Sequence, residues 1–230
     1  YLAHFEAHRA EKLAIVSPLD TVLAPIRERL DSEVVVLASG DPLFFCIGQR
    51  LIQEFGANEL TVLPNVSTVQ AAAARLRIPW HDVGMVSLHG RDGLAALRGA
   101  LMAREWVAAL TDDSNAPAVL AQALLDAGAE NVELFVFEDL GAESERWGRH
   151  TLDQASRASF SRLNMAVFHR LAPPEALLCL GIPDERFAQD GAVLTKGPVR
   201  AVGLAALRLG SGMTLWDLGA GCGAVSVEAA

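Results

Sequence analysis

Several things are scarce in this sequence, and each scarcity narrows the class of protein. Three cysteines occur in 230 residues, Cys46, Cys179 and Cys222. They are far apart and show no metal-ligand spacing, which points to reduced thiols in a cytoplasmic protein. Basic residues are the minority, 19 Lys and Arg against 28 Asp and Glu, for a formal charge of −9. Nucleic acid is therefore not an expected partner, because phosphate binding needs a basic surface. A local basic patch for a small anion stays open. No apolar run approaches the roughly 20 residues of a membrane span, so no membrane association is expected. The chain opens at Tyr1 with neither a methionine nor a signal-peptide pattern. Internal repeats and low-complexity segments are lacking, and so is any Ser-His-Asp or Cys-His constellation.

What is present is apolar material. Hydrophobic residues make up 51% of the chain, enough for a sizeable core and too much for a disordered chain. The length allows one to two domains. The β-branched run at residues 34–38 reads as a buried parallel strand ending in the turn Ser39-Gly40-Asp41-Pro42. A helix over 43–55, closed by Gly56, follows. Residues 60–63 form the next expected strand, and Ser67 or Thr68 caps an alanine-rich helix over 69–76. Further strands are expected at 83–88, 106–110, 132–137 and 164–168, with helices at 94–102 and 116–127, the latter stopped by Gly128. This alternation implies an α/β fold in layers. A break near residues 79–82 divides it into two lobes, 1–82 and 83–170. A linker occupies 171–190, and a further module begins at 191.

Two glycine-bearing turns carry the chemistry. Gly40 follows a strand, where open α/β sheets bind ligands, and permits close backbone approach. Asp41 either accepts hydrogen bonds from a ligand or caps the next helix. Near the other end, Leu215-Trp216-Asp217-Leu218-Gly219-Ala220-Gly221-Cys222-Gly223 reads as a buried strand running into a G-x-G-x-G turn and a helix. Such a turn suits a nucleotide ligand. A nucleotide-binding domain carries an acidic residue for the ribose roughly 20 residues further on. The sequence therefore reads as a larger enzyme cut inside its second catalytic domain.

Four segments resemble the tetrapyrrole methylases, which methylate corrin and sirohaem precursors with S-adenosylmethionine. They are residues 36–45, 63–72, 86–91 and 110–117, and their order looks like the branch that methylates C5 of the precorrin ring. Residues 181–187, 194–200 and 215–223 look like the start of the partner that methylates C15 and decarboxylates. The two occur fused in the precorrin-6B C5,15-methyltransferase (decarboxylating) family. The resemblance implies a two-lobed tetrapyrrole methylase fold followed by the beginning of a Rossmann-like methyltransferase domain. It implies that Ser39, Gly40, Asp41, Phe44, Ser67, Thr68, Leu110 and Leu140 line a first S-adenosylmethionine site. Thr195, Gly219, Ala220, Gly221, Cys222 and Gly223 would surround a second. Asn65 stands where the family usually has glycine, and asparagine tolerates left-handed angles. The implied substrate is a carboxylate-rich precorrin. His89 and Arg91 are the expected substrate contacts, an arginine fork suiting carboxylates, although a capped turn with a solvated arginine explains them equally well. No catalytic side chain is assigned. A homo-oligomer is expected. The family's amino-terminal strand and Gly-Pro-Gly-Asp loop are not found before Tyr1, so part of the substrate cleft is expected to be lacking. The terminal module is expected to be frayed and to support neither C15 methylation nor decarboxylation.

Other signals carry less. His4 and His8 lie one helical turn apart without a third ligand, and no metal site is expected. Asp112 and Asp113 are better read as loop or capping residues than as an acid pair. Trp80, Trp106, Trp147 and Trp216 are expected in cores. An NAD-dependent oxidoreductase would share the glycine turn but leaves residues 34–117 unexplained. A catalytically silent binding or scaffolding subunit is the non-enzymatic alternative.

Overall fold

The computed structural model describes residues 5–16, 18–88, 93–129, 131–173, 180–188, 191, 193–210 and 213–230. The chain divides into two compact units, Tyr1–Leu171 and Ala172–Ala230.

The first unit is organised by a five-stranded sheet. Its strands are β1 (Gly84–Ser87), β2 (Trp106–Leu110), β3 (Val132–Glu138), β4 (Arg146–Thr151) and β5 (Asn164–Arg170), in the order β1-β2-β5-β3-β4. Helices α1 (Asp20–Arg27), α2 (Gly48–Phe55) and α3 (Thr68–Leu76) precede the sheet; α4 (Leu94–Ala103), α5 (Pro117–Asp126) and α6 (Leu152–Ser156) are interleaved with it. Alternation along the strands sorts the core into two layers, because successive side chains leave opposite faces. Val107, Ala109, Leu134, Val136, Ala166 and Phe168 pack with Leu97, Leu101, Leu120, Leu124 and Leu152 of α4, α5 and α6. Ala108, Phe137, Met165 and Val167 face the other way, onto Val69 and Ala72 of α3.

Local signals explain most element ends. Ser67 and Gln70 form a reciprocal capping box at the start of α3, and Thr151 and Gln154 do the same for α6. Pro117 opens α5, and Gly128, with φ 74, closes it.

The structure differs from the expected layout in identifiable places. The sheet is mixed: β1 and β2 run parallel, whereas β5 is antiparallel to both β2 and β3, and β4 to β3. Residues 34–38 and 60–63 form no strand. Val35 is 72% and Leu63 76% exposed. A β-branched run favours extended backbone, but a strand also needs a neighbouring edge, and all described strands lie beyond Asp82. The helix expected from residue 43 begins at Gly48, because tight turns occupy the preceding residues: the N–H groups of Phe44 and Gly48 donate to the carbonyls of Asp41 and Pro42. Asn65 is not among the described residues with positive φ. Strand β4 and helix α6 were not expected at all. The β4 sequence has no apolar run; it is an edge strand whose arginines pair across to β3, Arg146 with Glu138 at 2.8 Å and Arg149 with Glu133. Trp80, Trp147 and Trp216 are substantially exposed rather than core residues, Trp147 although it stacks on Phe137; Trp106 is better covered, stacked on His169 at 3.8 Å between ring centroids.

The second unit contains α7 (Gly197–Leu207) and α8 (Ala224–Ala229). Its buried centre is Arg200, whose side chain is fully enclosed. The Nε donates to Glu228 of α8 at 2.8 Å, and Nη1 donates to Asp184 at 2.9 Å and to the Thr195 carbonyl. The strand expected before the glycine turn does not form. Trp216 and Leu218 are 79% and 87% exposed, and among the described residues this unit has no strand to pair with.

Candidate functional site

In the first unit a cavity of about 310 Å³ opens where strand ends meet the loops that precede α2 and α3. One wall is the turn 39–46 together with Ser67 and Thr68 at the start of α3; the other is Leu110 and Thr111 after β2, Phe137 and Leu140 at the end of β3, and residues 163–165 at the start of β5. All eight residues that the sequence nominates for the first cofactor site, Ser39, Gly40, Asp41, Phe44, Ser67, Thr68, Leu110 and Leu140, line this single cavity.

Backbone chemistry holds the first wall in shape. Gly40 adopts φ +64, and a Cβ placed there would lie 3.8 Å from the Ser67 Cα, so the two loops run side by side. Asp41 joins them: Oδ1 accepts from the Leu43 N–H at 2.8 Å and Oδ2 from the Asn65 N–H at 3.2 Å. The carboxylate thus closes its own turn and clips the next loop, and it does not cap α2. Phe45 holds φ 50, a left-handed angle that bulky side chains rarely adopt. Backbone strain of this kind collects at ligand sites.

The second wall is apolar with one polar pair. The Thr111 hydroxyl reaches both the Asn164 carbonyl at 2.8 Å and the Asn164 Oδ1 at 2.7 Å, and Asn164 Nδ2 donates to the Ser161 carbonyl at 2.6 Å. Thr111, Phe137, Leu163, Asn164 and Met165, like Phe45 and Cys46 across the cleft, were missed from sequence. The missing information was strand direction. Because β5 runs antiparallel, its first residues lie beside the ends of β2 and β3, with Met165 paired to both Leu110 and Phe137.

The second set of nominated residues belongs to the second unit. Gly219, Gly221 and Gly223 all have positive φ, which glycine alone tolerates in such succession. A Cβ on Gly221 would sit 2.6 Å from the Val193 carbonyl, so the segment leading to Thr195 lies directly against the glycine turn that includes Ala220 and Cys222. Asp217 accepts from Ser226 at 2.7 Å and fixes the exit into α8. Cys46 and Cys222 are free thiols, both partly buried.

His89 and Arg91 lie outside the described residues, as do His4 and Cys179. His8 is exposed, and no group of His, Cys, Asp or Glu suited to a metal ion occurs among the described residues. Asp112 accepts from the N–H groups of Ser114 and Asn115, and Asp113 pairs with exposed Arg162, so both stabilise loops. No helix among the described residues is long and apolar enough to cross a membrane.

Comparison with known proteins follows the same division. Residues 7–156 match the tetrapyrrole (corrin/porphyrin) methylases, and residues 185–230 match a precorrin methyltransferase domain. The chain is 36% identical over 216 residues to a precorrin-6Y C(5,15)-methyltransferase [decarboxylating] from Sinorhizobium sp, covering 93% of this chain and 52% of that protein. It thus spans about half the length of the curated relative it matches over nearly its whole extent. A cobalt-precorrin-7 C(5)-methyltransferase of Salmonella typhimurium is 34% identical over 146 residues, 64% of this chain and 71% of that one. Among solved structures, uroporphyrin-III C-methyltransferase from Thermus thermophilus, complexed with S-adenyl homocysteine, has a TM-score of 0.56 at 16% identity, covering 71% of this chain and 78% of that chain.

Proposed function

The chain belongs to the tetrapyrrole (corrin/porphyrin) methylases, and on that premise we propose that its first unit binds S-adenosylmethionine in the 310 Å³ cavity and directs methyl transfer to C5 of a carboxylate-rich precorrin. The observation that carries this reading is the convergence of Ser39 to Phe44, Ser67 and Thr68, Leu110 and Leu140 on one cavity from four separate chain segments.

The residues present fit such a cofactor. The volume falls at the lower end of small-molecule sites, and an apolar lining with few polar groups is their usual make-up. The left-handed turn at Gly40 leaves backbone uncovered for close approach. Phe44 on one wall and Leu110, Phe137, Leu140 and Met165 on the other supply apolar surface that would exclude water. When bound, the sulfonium supplies an electrophilic methyl group for an electron-rich ring carbon. The protein's task is then alignment and exclusion of water, so no nucleophilic side chain is required. His89 and Arg91 are assigned to the substrate's carboxylates. In the second unit, Thr195 and Gly219 through Gly223 open a Rossmann-like methyltransferase domain with a second S-adenosylmethionine site serving C15 methylation and decarboxylation. The tight seat of Gly221 on Val193 supports that assignment.

Titration calorimetry with S-adenosylmethionine tests the first site. Gly40→Val should weaken binding about fivefold or more, since a β-branched residue at φ +64 is strained by about one to a few kcal/mol, which the turn relieves by leaving its ligand-competent shape. Asp41→Ala should weaken it as well by freeing two loops. Unchanged affinity in both variants, with the circular dichroism of the sheet intact, overturns the assignment, as does tighter binding of NADH than of S-adenosylmethionine.

A further inference from the structure

Some distance from the cavity, the guanidinium of Arg75 meets the carboxylate of Glu145 as a two-pronged fork. Nε donates to Oε1 and Nη2 donates to Oε2, both at 2.8 Å. Arg75 lies in the last turn of α3, the helix whose first residues, Thr68 and its cap Ser67, form one wall of the cavity. Glu145 closes the turn between β3 and β4. Its Oε2 also accepts from the Gly141 N–H at 2.7 Å, next to Leu140 on the opposite wall. The turn is irregular, with Asp139 at φ 51 and Gly141 at φ 87, and this carboxylate adds to the main-chain bonds that hold it, from the Ala142 N–H to the Asp139 carbonyl and from the Glu145 N–H to the Ala142 carbonyl.

The fork therefore joins the two walls of the cleft through elements that are stiff on one side and soft on the other. Thr68 and Arg75 are seven residues apart on one helix, about 10 Å along its axis. The grip of that helix on the sheet rests on Val69, Ala72 and Ala73, small buried side chains, with Leu76 partly buried at its last turn. Electrostatics agrees with the geometry. The hydrogen bond to Glu145 raises the Arg75 pKa, and the same bond, with the Gly141 N–H, holds the Glu145 carboxyl below its ordinary range.

We propose that Arg75 and Glu145 are a positioning pair that sets the separation of Ser67 and Thr68 from Leu140, and so tunes the affinity of the cavity without touching its occupant. This rests on the cavity being the S-adenosylmethionine site. Exposed pairs contribute modestly even when bidentate, so the expected effect is a weakening of about fivefold.

The test is calorimetric titration of the whole chain with S-adenosylmethionine for the parent, Arg75→Glu, Glu145→Arg and the exchanged double variant. Each single variant should bind about fivefold more weakly, and the exchanged pair should recover part of the loss, since exchange restores the ion pair but not the acceptor for the Gly141 N–H. A fall in melting temperature with unchanged affinity overturns the proposal, since that marks a purely structural pair. So does an exchanged pair no better than either single variant. Hydrogen exchange at residues 139–145 separates failure of the proposal from failure of the cofactor assignment. If the parent does not bind S-adenosylmethionine, the cofactor reading falls. The clasp itself is then overturned if protection of that turn is the same in Arg75→Glu as in the parent, and stands if it drops.

Discussion

Residues 1–171 bury Phe137, Phe168, Leu124 and Leu134 between a sheet and its helices, whereas residues 172–230 bury an arginine. Around Arg200 the partners are Glu228, Asp184, two backbone carbonyls and the ring of Phe187, 4.5 Å below the guanidinium. Glu228 also takes the N–H groups of Gly181 and Ile182. The two centres fail in different ways. An apolar core loses stability in proportion to the contacts removed. A buried ion network is close to all-or-none, because removing one partner strands the others without water.

The sharpest way to break this comparison is Arg200→Met. Leaving Glu228 enclosed without its cation should cost the second unit about 3–5 kcal/mol. Hydrogen exchange in α7 and α8 should rise towards the unfolded rate while β2, β3 and β5 keep their protection. A variant with α7 still protected would mean that the apolar contacts of Leu204 and Ala224 suffice.

Acid sharpens the same contrast with a smaller effect. Burial pushes the Glu228 carboxyl up, but the N–H of Gly181 and the Arg200 guanidinium more than offset this, and its pKa is lowered. Asp184 is lowered chiefly by Arg200. Carboxyls with depressed folded values contribute stability that is fully present above the ordinary carboxylate range. That stability is lost as pH falls through the folded values. On acidification from pH 7, α7 and α8 should therefore lose exchange protection, corrected for intrinsic rates, before β2 and β5 do, while the β3–β4 edge, where Arg146 likewise lowers the Glu138 carboxyl, weakens alongside them. Simultaneous loss in β2 and β5 would contradict the contrast. The smallest expected effect lies at the start of α3. Ser67→Ala removes a capping box and should lower the stability of the first unit by about 1 kcal/mol, measured by urea denaturation, while leaving the second unit untouched.

Legibility from sequence varied within the first unit. The strands β1, β2, β3 and β5 and the helices α3, α4 and α5 were readable because apolar periodicity and end signals agreed, as at Ser67 and Gly128. The first wall of the cavity was readable through the resemblance of residues 36–45 and 63–72 to the tetrapyrrole methylases; the glycine turn alone left Asp41 open between a ligand contact and a helix cap, and residues 34–38 form no strand. Strand β4 was not readable: arginines paired to Glu133 and Glu138 stand where apolar residues give a strand its signature. Nor was the contribution of Asn164 and Met165, which depends on the direction of β5, and direction leaves no periodic trace.

Asp41 carries a lesson for anyone redesigning this protein. Its two oxygens grip main-chain N–H groups at positions 43 and 65, not side chains. The clip itself asks of position 43 only that it not be proline, and of position 65 the same, although the Asn65 Oδ1 also accepts from the Val66 N–H at 2.8 Å; Asp41→Ala releases both loops. A mutational library would find permissive sites immediately beside an immovable one. The linkage between residues 24 apart would leave a weak pairwise signature, because the clip reads side-chain identity at position 41 alone.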